Sequence, residues 1–263
     1  MPKISVCILT FNSLRTLERC LQPAREVADE LIVVDSGSTD GTLEYLSTQG
    51  LAPVYRPYDT HSRQMNFAIE LASNDWVLCL DSDEFLDPAT VERINELKKR
   101  LDDVGQAYRI TRHWYVLGRE VRAIYPVSSP DNPVRLFNRI SARFNDQPVD
   151  DKPTGFTTTE TIPGHVVHDT FFSLNEVFDK VNGYTSRLVR HKTISPSLLR
   201  AAISPIFAFL KWYFRKGGYK DGALGIITAT YAALYTFLKY LKAWAIQNGL
   251  PIDSPRKQDG QEI

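Results

Sequence analysis

Through Leu101 the chain alternates four times between a short apolar run and an amphipathic stretch, and this alternation limits the folds open to it. The apolar runs are Ile4 to Thr10, Glu30 to Asp35, Pro53 to Arg56 and Trp76 to Leu80. Rich in β-branched residues and too short for helices, they read as buried strands. Asn12-Ser13 offers a cap for a first helix, with Leu14, Leu17 and Leu21 on one face and Pro23 ending it. Ser36-Gly37-Ser38 is a turn, and Thr39 or Asp40 caps a helix to Thr48. Further helices are expected over Ser62 to Ala72 and, started by Pro88, over Ala89 to Leu101. Repeated strand–helix units imply a parallel sheet covered by helices on both faces. Ligands in such sheets bind outside the carboxyl ends of the strands. Thr10, Asp35, Asp81 and Asp83 all fall at those ends.

The fourth strand runs straight into Asp81-Ser82-Asp83-Glu84. Alternation along a strand sends Asp81 and Asp83 to the same side. Paired carboxylates repel unless a cation lies between them, and a hard divalent ion such as Mg2+ or Mn2+ suits oxygen ligands. Taken alone, an Asp-X-Asp also reads as a solvated acidic loop. Its coincidence with Thr10 and Asp35 at neighbouring strand ends favours the functional reading.

Beyond Leu101 the pattern changes. Ala107 to Tyr115, Val121 to Tyr125, Val134 to Arg139 and Thr161 to His168 read as strands of a mixed, partly antiparallel region, and the polar stretch from Asn145 to Thr158 as a long loop. Leu174 to Lys192 has helical spacing, and two apolar helices follow over Ser197 to Phe214 and Gly222 to Trp244. From Val181 to Lys220 there are eight Lys or Arg and no acid, mixed with aliphatic and aromatic residues. That composition suggests an element lying on an anionic membrane surface, the alternative being bundle helices packed on the domain. Lysine and arginine balance aspartate and glutamate at 31 each, so whole-molecule charge gives no reason to expect a nucleic-acid partner. Three cysteines, Cys7, Cys20 and Cys79, suit a reducing compartment without a disulfide framework. No signal peptide is expected after Met1-Pro2-Lys3, and no uninterrupted apolar run reaches a membrane-spanning length.

The segments ISVCILTFNSLRTLERCL, ELIVVDSGSTDGT, Arg63-Gln64 and NDWVLCLDSDE, followed by Val134-Arg135-Leu136-Phe137, Phe144-Asn145-Asp146 and His168, resemble the family 2 glycosyltransferases, which have the GT-A fold. The tail YKDGALGIITATYAALYTFLKYLKAW resembles the branch of lipopolysaccharide-core β-glucosyltransferases of the WaaE and LgtF type. The resemblance implies an α/β, Rossmann-like mixed sheet flanked by helices, with a C-terminal amphipathic helical hairpin. It implies a catalytic domain over 1–195, divided into a nucleotide-binding half (1–102) and an acceptor half (103–195). A membrane-associating hairpin over 196–247 and a flexible tail over 248–263 complete the chain.

The same resemblance implies an inverting, metal-dependent enzyme. It would move a sugar from a nucleotide-sugar donor, UDP-hexose first, to a lipopolysaccharide-core or other cell-surface glycolipid or oligosaccharide. The cytoplasmic leaflet is the expected location. Thr10, Asn12 and Asp35 would hold the nucleoside, and Arg63 the diphosphate. Asp83 would hold Mg2+ or Mn2+, with Asp81 beside it on metal or ribose and His168 as a further metal or diphosphate ligand. Asp35 also reads as a turn acid, Arg63 as a surface arginine and His168 as a histidine satisfied within the fold. Where relatives carry Val-His-Glu, this chain has Val149-Asp150-Asp151. Asp151 takes the glutamate's place as the expected base, with Asp150 second. His61, His113, His165 and His191 carry no motif and read as structural or exposed.

Three other functions compete. A nucleotidyltransferase would want a glycine-rich basic loop after the first strand, where this chain has Thr10-Phe11-Asn12-Ser13. A non-catalytic membrane-bound scaffold would not need Asp35, Asp81 and Asp83. Sugar transfer to polyprenyl phosphate fits the acids, while the tail matches the core-saccharide branch better.

Overall fold

The computed structural model describes residues 1–253, and the tail expected over 248–263 lies, from 254 on, outside the described residues. The chain forms two compact units, one of Met1–Glu120 with Ser129–Thr170 and one of Val121–Ser128 with the chain from Phe171.

In the first unit β1 (Ile4–Thr10), α1 (Leu14–Val27), β2 (Glu30–Asp35), α2 (Thr42–Thr48), β3 (Val54–Tyr55), α3 (His61–Leu71) and β4 (Trp76–Asp81) alternate as expected. After them come β5 (Glu84–Leu86), α4 (Pro88–Leu97), β6 (Gln106–Val116) and β7 (Arg119–Glu120). A short hairpin, β8 (Ala123–Ile124) and β9 (Val127–Ser128), belongs to the second unit. The chain then adds β10 (Val134–Asn138), β11 (Arg143–Phe144), β12 (Pro153–Thr154) and β13 (Thr158–Phe171). One mixed sheet runs β3-β2-β1-β4-β10-β6-β13-β5, with β7 beside β6. β1, β2, β3 and β4 are parallel, while β10 is antiparallel to both β4 and β6, and β5 to β13.

Alternation divides the strand residues between two cores. Ile4, Val6 and Ile8 pack with Leu78 and Leu80 on one face, and Cys7 with Val34, Val77 and Cys79 on the other. Burial on both faces is why these strands read as continuous apolar runs. The three cysteines are buried and free, and burial raises the Cys7 thiol to about 12.

Several local expectations change, and the strand expected over Val121 to Tyr125 is reduced to β8 in its separate hairpin. Pro23 lies inside α1, which runs on to Val27 because Ala24 and Val27 are buried against the core. That packing outweighs the backbone bond that proline removes. Glu84–Leu86, unrecognised in the sequence, is a strand, and it pairs with β13 at the opposite side of the sheet from β3.

The second unit holds α5 (Leu174–His191), α6 (Leu198–Leu210), continued by a π-helical turn over Lys211–Arg215, and α7 (Ala223–Gln247). Gly218 and Gly225 meet backbone to backbone: a Cβ on Gly225 would lie 1.7 Å from the Gly218 carbonyl oxygen. The division expected between 195 and 196 does not coincide with the packing, because α5 packs on α7 and belongs with the hairpin. The buried Lys242 on α7 fixes that contact. Its Nζ donates to the Asn182 carbonyl at 2.7 Å, Asn182 Oδ1 at 2.6 Å, Ser186 Oγ at 2.8 Å and Thr185 Oγ1 at 2.9 Å.

Phe137, fully buried in β10 with its ring 6.2 Å from that of Phe144, tests the central sheet. Phe137→Ala is expected to cost about 3–5 kcal/mol in urea unfolding, since it removes transfer energy and leaves a cavity. A loss below about 1 kcal/mol would mean the two cores are not close-packed there.

Candidate active site

The strand order places a crevice between β1 and β4. From β1 the chain moves outward to β2 and β3, then returns to β4 on the other flank of β1. Such a reversal opens a gap at the carboxyl ends of the two central strands. Ser13 Oγ and Ser82 Oγ, from the segments after β1 and β4, are hydrogen-bonded at 2.7 Å.

On one side of the crevice the turns after β1 and β2 are tied together. Asp35 is buried, and its Oδ1 accepts the N–H groups of Gly37 and Ser38, each at 2.8 Å. Its Oδ2 accepts the Thr10 hydroxyl at 2.9 Å and the Ser38 hydroxyl at 2.5 Å. Four donors occupy the roughly four acceptor positions of a carboxylate. Asp35 therefore builds the turn, and an outside donor would have to displace one of the two hydroxyls. The Asn12 backbone has φ +50°, its N–H donates to Ser38 Oγ at 2.8 Å, and its Oδ1 accepts from the Thr39 N–H at 2.8 Å.

On the other side β4 ends at Asp81, the chain turns over Ser82 and Asp83, and Glu84 enters β5. Glu84 is fully buried between Arg112 and Arg135, with Arg112 NH1 at 2.8 Å and Arg135 donating to the same oxygen. Arg112 also forms a forked pair with Asp131, Nε–Oδ1 at 3.0 Å and NH2–Oδ2 at 2.6 Å, and its guanidinium lies 4.5 Å over the Trp114 ring. The Trp114 ring in turn sits 4.2 Å from that of His168. Register places His168 opposite Glu84, which brings His168 Nε2 to 3.3 Å from Asp83 Oδ2.

His61, the first residue of α3, carries no sequence motif yet stands in this site. Its Nε2 lies 3.0 Å from Asp81 Oδ1 and its Nδ1 2.6 Å from Asp151 Oδ2. Burial pulls the imidazole toward its neutral form, but the charges and hydrogen bonds of Asp81 and Asp151 outweigh it and raise the ring to about 10. Burial would raise the Asp81 carboxyl, yet His61 and then Arg135 and His168 hold it far below the usual carboxylate range. The signal available in the sequence was position: α3 follows β3, so His61 begins a helix on the ligand side of the sheet.

Arg63 is half exposed and forks onto Asp146, Nε–Oδ1 at 2.8 Å and NH2–Oδ2 at 3.1 Å. Asp150 is exposed, with φ +65°. The structure thus joins Asp81 with Asp151, Asp83 with His168, and Thr10 with Asp35. Arg63 stands against the loop that carries Asp146 and Asp151.

For a divalent ion, Asp83 and His168 are a compatible carboxylate–imidazole pair from two elements, and His168 Nδ1 is buried without a hydrogen-bond partner. Among the described residues there is no group of three or more candidate metal ligands, so phosphate or water oxygens would complete the shell. Asp81 suits a ligand role less well, because both its oxygens already face cationic groups, His61 and Arg135.

Residues 5–159 match the family model described as Glycosyl transferase family 2. The lipopolysaccharide core biosynthesis glycosyltransferase LpsC of Rhizobium meliloti (strain 1021) is 28% identical over 262 residues, covering 93% of each chain. An uncharacterized glycosyltransferase of Rickettsia prowazekii (strain Madrid E) is 28% identical over 256 residues, covering 92% of this chain and 87% of its own. In fold, the mannosyltransferase PcManGT from Pyrobaculum calidifontis, solved with GDP-Man and Mn2+, is similar with a TM-score of 0.53 and 18% identity, over 94% of this chain and 87% of that one. The mixed sheet flanked by helices is the GT-A fold.

In metal-free protein the His61 ring is expected to keep its proton to about 10, against an ordinary 6.5, when followed by NMR. Because the folded value is raised, the stabilisation is complete below about 6.5 and is lost as pH climbs through about 10. A titration near 6.5 would show that the two carboxylates do not grip the ring.

Proposed function

The chain belongs to glycosyl transferase family 2 and is a glycosyltransferase; we propose that it is an inverting, metal-dependent enzyme that takes a hexose from a nucleoside-diphosphate sugar, UDP first. The observation that carries this reading is the meeting of Asp83 and His168, 3.3 Å apart, at the crevice beside β1 and β4. The two side chains hold Mg2+ or Mn2+, with Asp81 alongside toward the ribose. A bound ion there supplies charge neutralisation for the departing diphosphate.

The chain's own groups do the rest. The turn built by Thr10, Asn12 and Asp35 receives the nucleoside. Arg63 presents a planar fork that fits phosphate as well as it fits the Asp146 carboxylate. Asp151 accepts the proton of the acceptor hydroxyl as that oxygen attacks the anomeric carbon, and His61 keeps it beside the donor-side Asp81. Asp150 is the second candidate for the base. The acceptor is a lipopolysaccharide-core or related glycolipid, a reading supported by the similarity to LpsC over nearly the whole chain. The enzyme then works at the cytoplasmic face of a membrane, attached peripherally.

Calorimetric titration of UDP with and without Mn2+ tests the donor side. Wild type is expected to bind in a metal-dependent manner, and Asp83→Ala to abolish the metal dependence. No binding of any nucleoside diphosphate to folded protein would end the reading.

Asp151→Asn is expected to retain that binding and to lose transfer by about 10²–10⁴-fold, the usual contribution of a general base. Retained transfer would remove Asp151 from the mechanism and pass the role to Asp150.

A further inference from the structure

Helix α6 carries an apolar stripe that the protein leaves uncovered. Leu199, Ile203, Ile206, Phe207, Leu210 and Phe214 are exposed by 44–69%. The two interleaved rows Leu199, Ile203, Ile206, Leu210 and Ile203, Phe207, Leu210, Phe214, each spaced by three or four residues, put them on one face of the helix and its π-helical continuation. The opposite side is buried: Ala201 is 2% exposed, and Trp212 packs with Ala229 and Ala232 of α7. Contiguous exposed apolar surface of this kind marks a site of interaction.

Charge identifies the partner. Arg200, Lys211, Arg215, Lys216 and Lys220 are all exposed around the stripe. Asp221, the first acid after Val181, is turned inward, accepting the Arg122 backbone N–H at 2.8 Å and lying 3.4 Å from its Nε. An apolar stripe rimmed by lysine and arginine, in a stretch from Val181 to Lys220 that holds no acid, suits the interface of an anionic bilayer.

Helix α7 is long and apolar enough, by length and composition, to cross a membrane. Its packing argues otherwise. Gly225, Thr228, Ala229, Tyr231, Ala232, Thr236, Lys242 and Ala243 are buried within the protein. Spanning would instead pull the Lys242 ammonium away from the oxygens of Asn182, Thr185 and Ser186 that hold α7 against α5.

We propose that α6 is the membrane-docking element, seated by its stripe at the boundary of headgroups and acyl chains of an anionic bilayer, and that α7 stays packed behind it and does not cross. This deepens the peripheral attachment proposed above and rests on it.

The test is sedimentation of the full chain with vesicles of phosphatidylglycerol and phosphatidylcholine, against phosphatidylcholine alone. Wild type is expected to bind the anionic vesicles, to bind less as salt rises, and to be released from them by alkaline carbonate. Ile203→Glu with Phe207→Glu is expected to weaken binding at least about tenfold, since two charges would enter the apolar boundary. Lys211→Glu with Arg215→Glu, at exposed positions where folding is not at stake, is expected to weaken it about fivefold per residue and to flatten the salt dependence.

Failure to bind anionic vesicles, undiminished binding by either variant, or resistance to carbonate would each overturn the proposal. So would a wild-type dimer in light scattering that the Ile203 and Phe207 changes disperse without any vesicle binding. UDP titration of the same proteins separates the two readings. Lost nucleotide binding in wild type strikes the transferase, while lost vesicle binding alone strikes only the docking helix.

Discussion

The candidate site depends on one buried charge. Glu84 is fully enclosed, and an uncompensated carboxylate there would not be tolerated. Arg112 of β6 and Arg135 of β10 compensate it, and the Asp81 N–H donates to its second oxygen at 3.3 Å. Those contacts pin the start of β5 beneath the acidic turn, so Asp81 and Asp83 are presented by a braced hairpin of backbone rather than a loose loop. They also place two guanidinium groups near a cluster of carboxylates that would otherwise repel one another. Removing one member of such a buried set is more damaging than never having it, because the remaining charges stay buried and unpaired.

This arrangement explains what the sequence revealed. The parallel half was legible almost to the residue, since each strand is a local apolar run with both faces buried: Ile4–Thr10 and Glu30–Asp35 match their expected limits. The turn acids were legible for the same reason, as they end those runs. β5 was not, because Glu84-Phe85-Leu86 is too short to show a period and pairs with a strand far along the chain. Arg135 lay in a stretch that supported the family resemblance, yet its partner across 51 positions could be seen only in three dimensions. His61 was invisible for a related reason. Its two carboxylates come from β4 and from the loop between β11 and β12, and only the fold joins them.

Asp35 shows a different limit. Its position at a strand end was clear from the sequence, but its environment was not. The carboxylate is saturated by its own turn and by Thr10, so its first effect is to fix the shape of the loops after β1 and β2. The nucleoside recognition proposed for this turn would then rely on its backbone shape and on hydroxyls that can rotate. Arg63 has the opposite character: exposed and paired with another exposed side chain, it contributes little to stability and is available for exchange.

The first two turns of α3 connect these features. His61 holds Asp151, Ser62 Oγ donates to the Gln147 carbonyl at 3.3 Å, Arg63 holds Asp146, and Asn66 exchanges two hydrogen bonds with the Phe144 backbone, each at 2.9 Å. One short helical segment therefore grips the whole loop that bears the proposed base. A phosphate arriving at Arg63, as proposed, would meet a fork already filled by a carboxylate of matching geometry, so the exchange would replace one charge-assisted pair with another at modest net gain. The same exchange frees Asp146 and leaves His61 as the principal tie between loop and strand. In this geometry the proposed donor-side residues and the loop carrying Asp151 are not independent: whatever engages Arg63 also alters the hold on the acid seven residues beyond His61's neighbour Phe144, whose ring lies 5.8 Å from the imidazole.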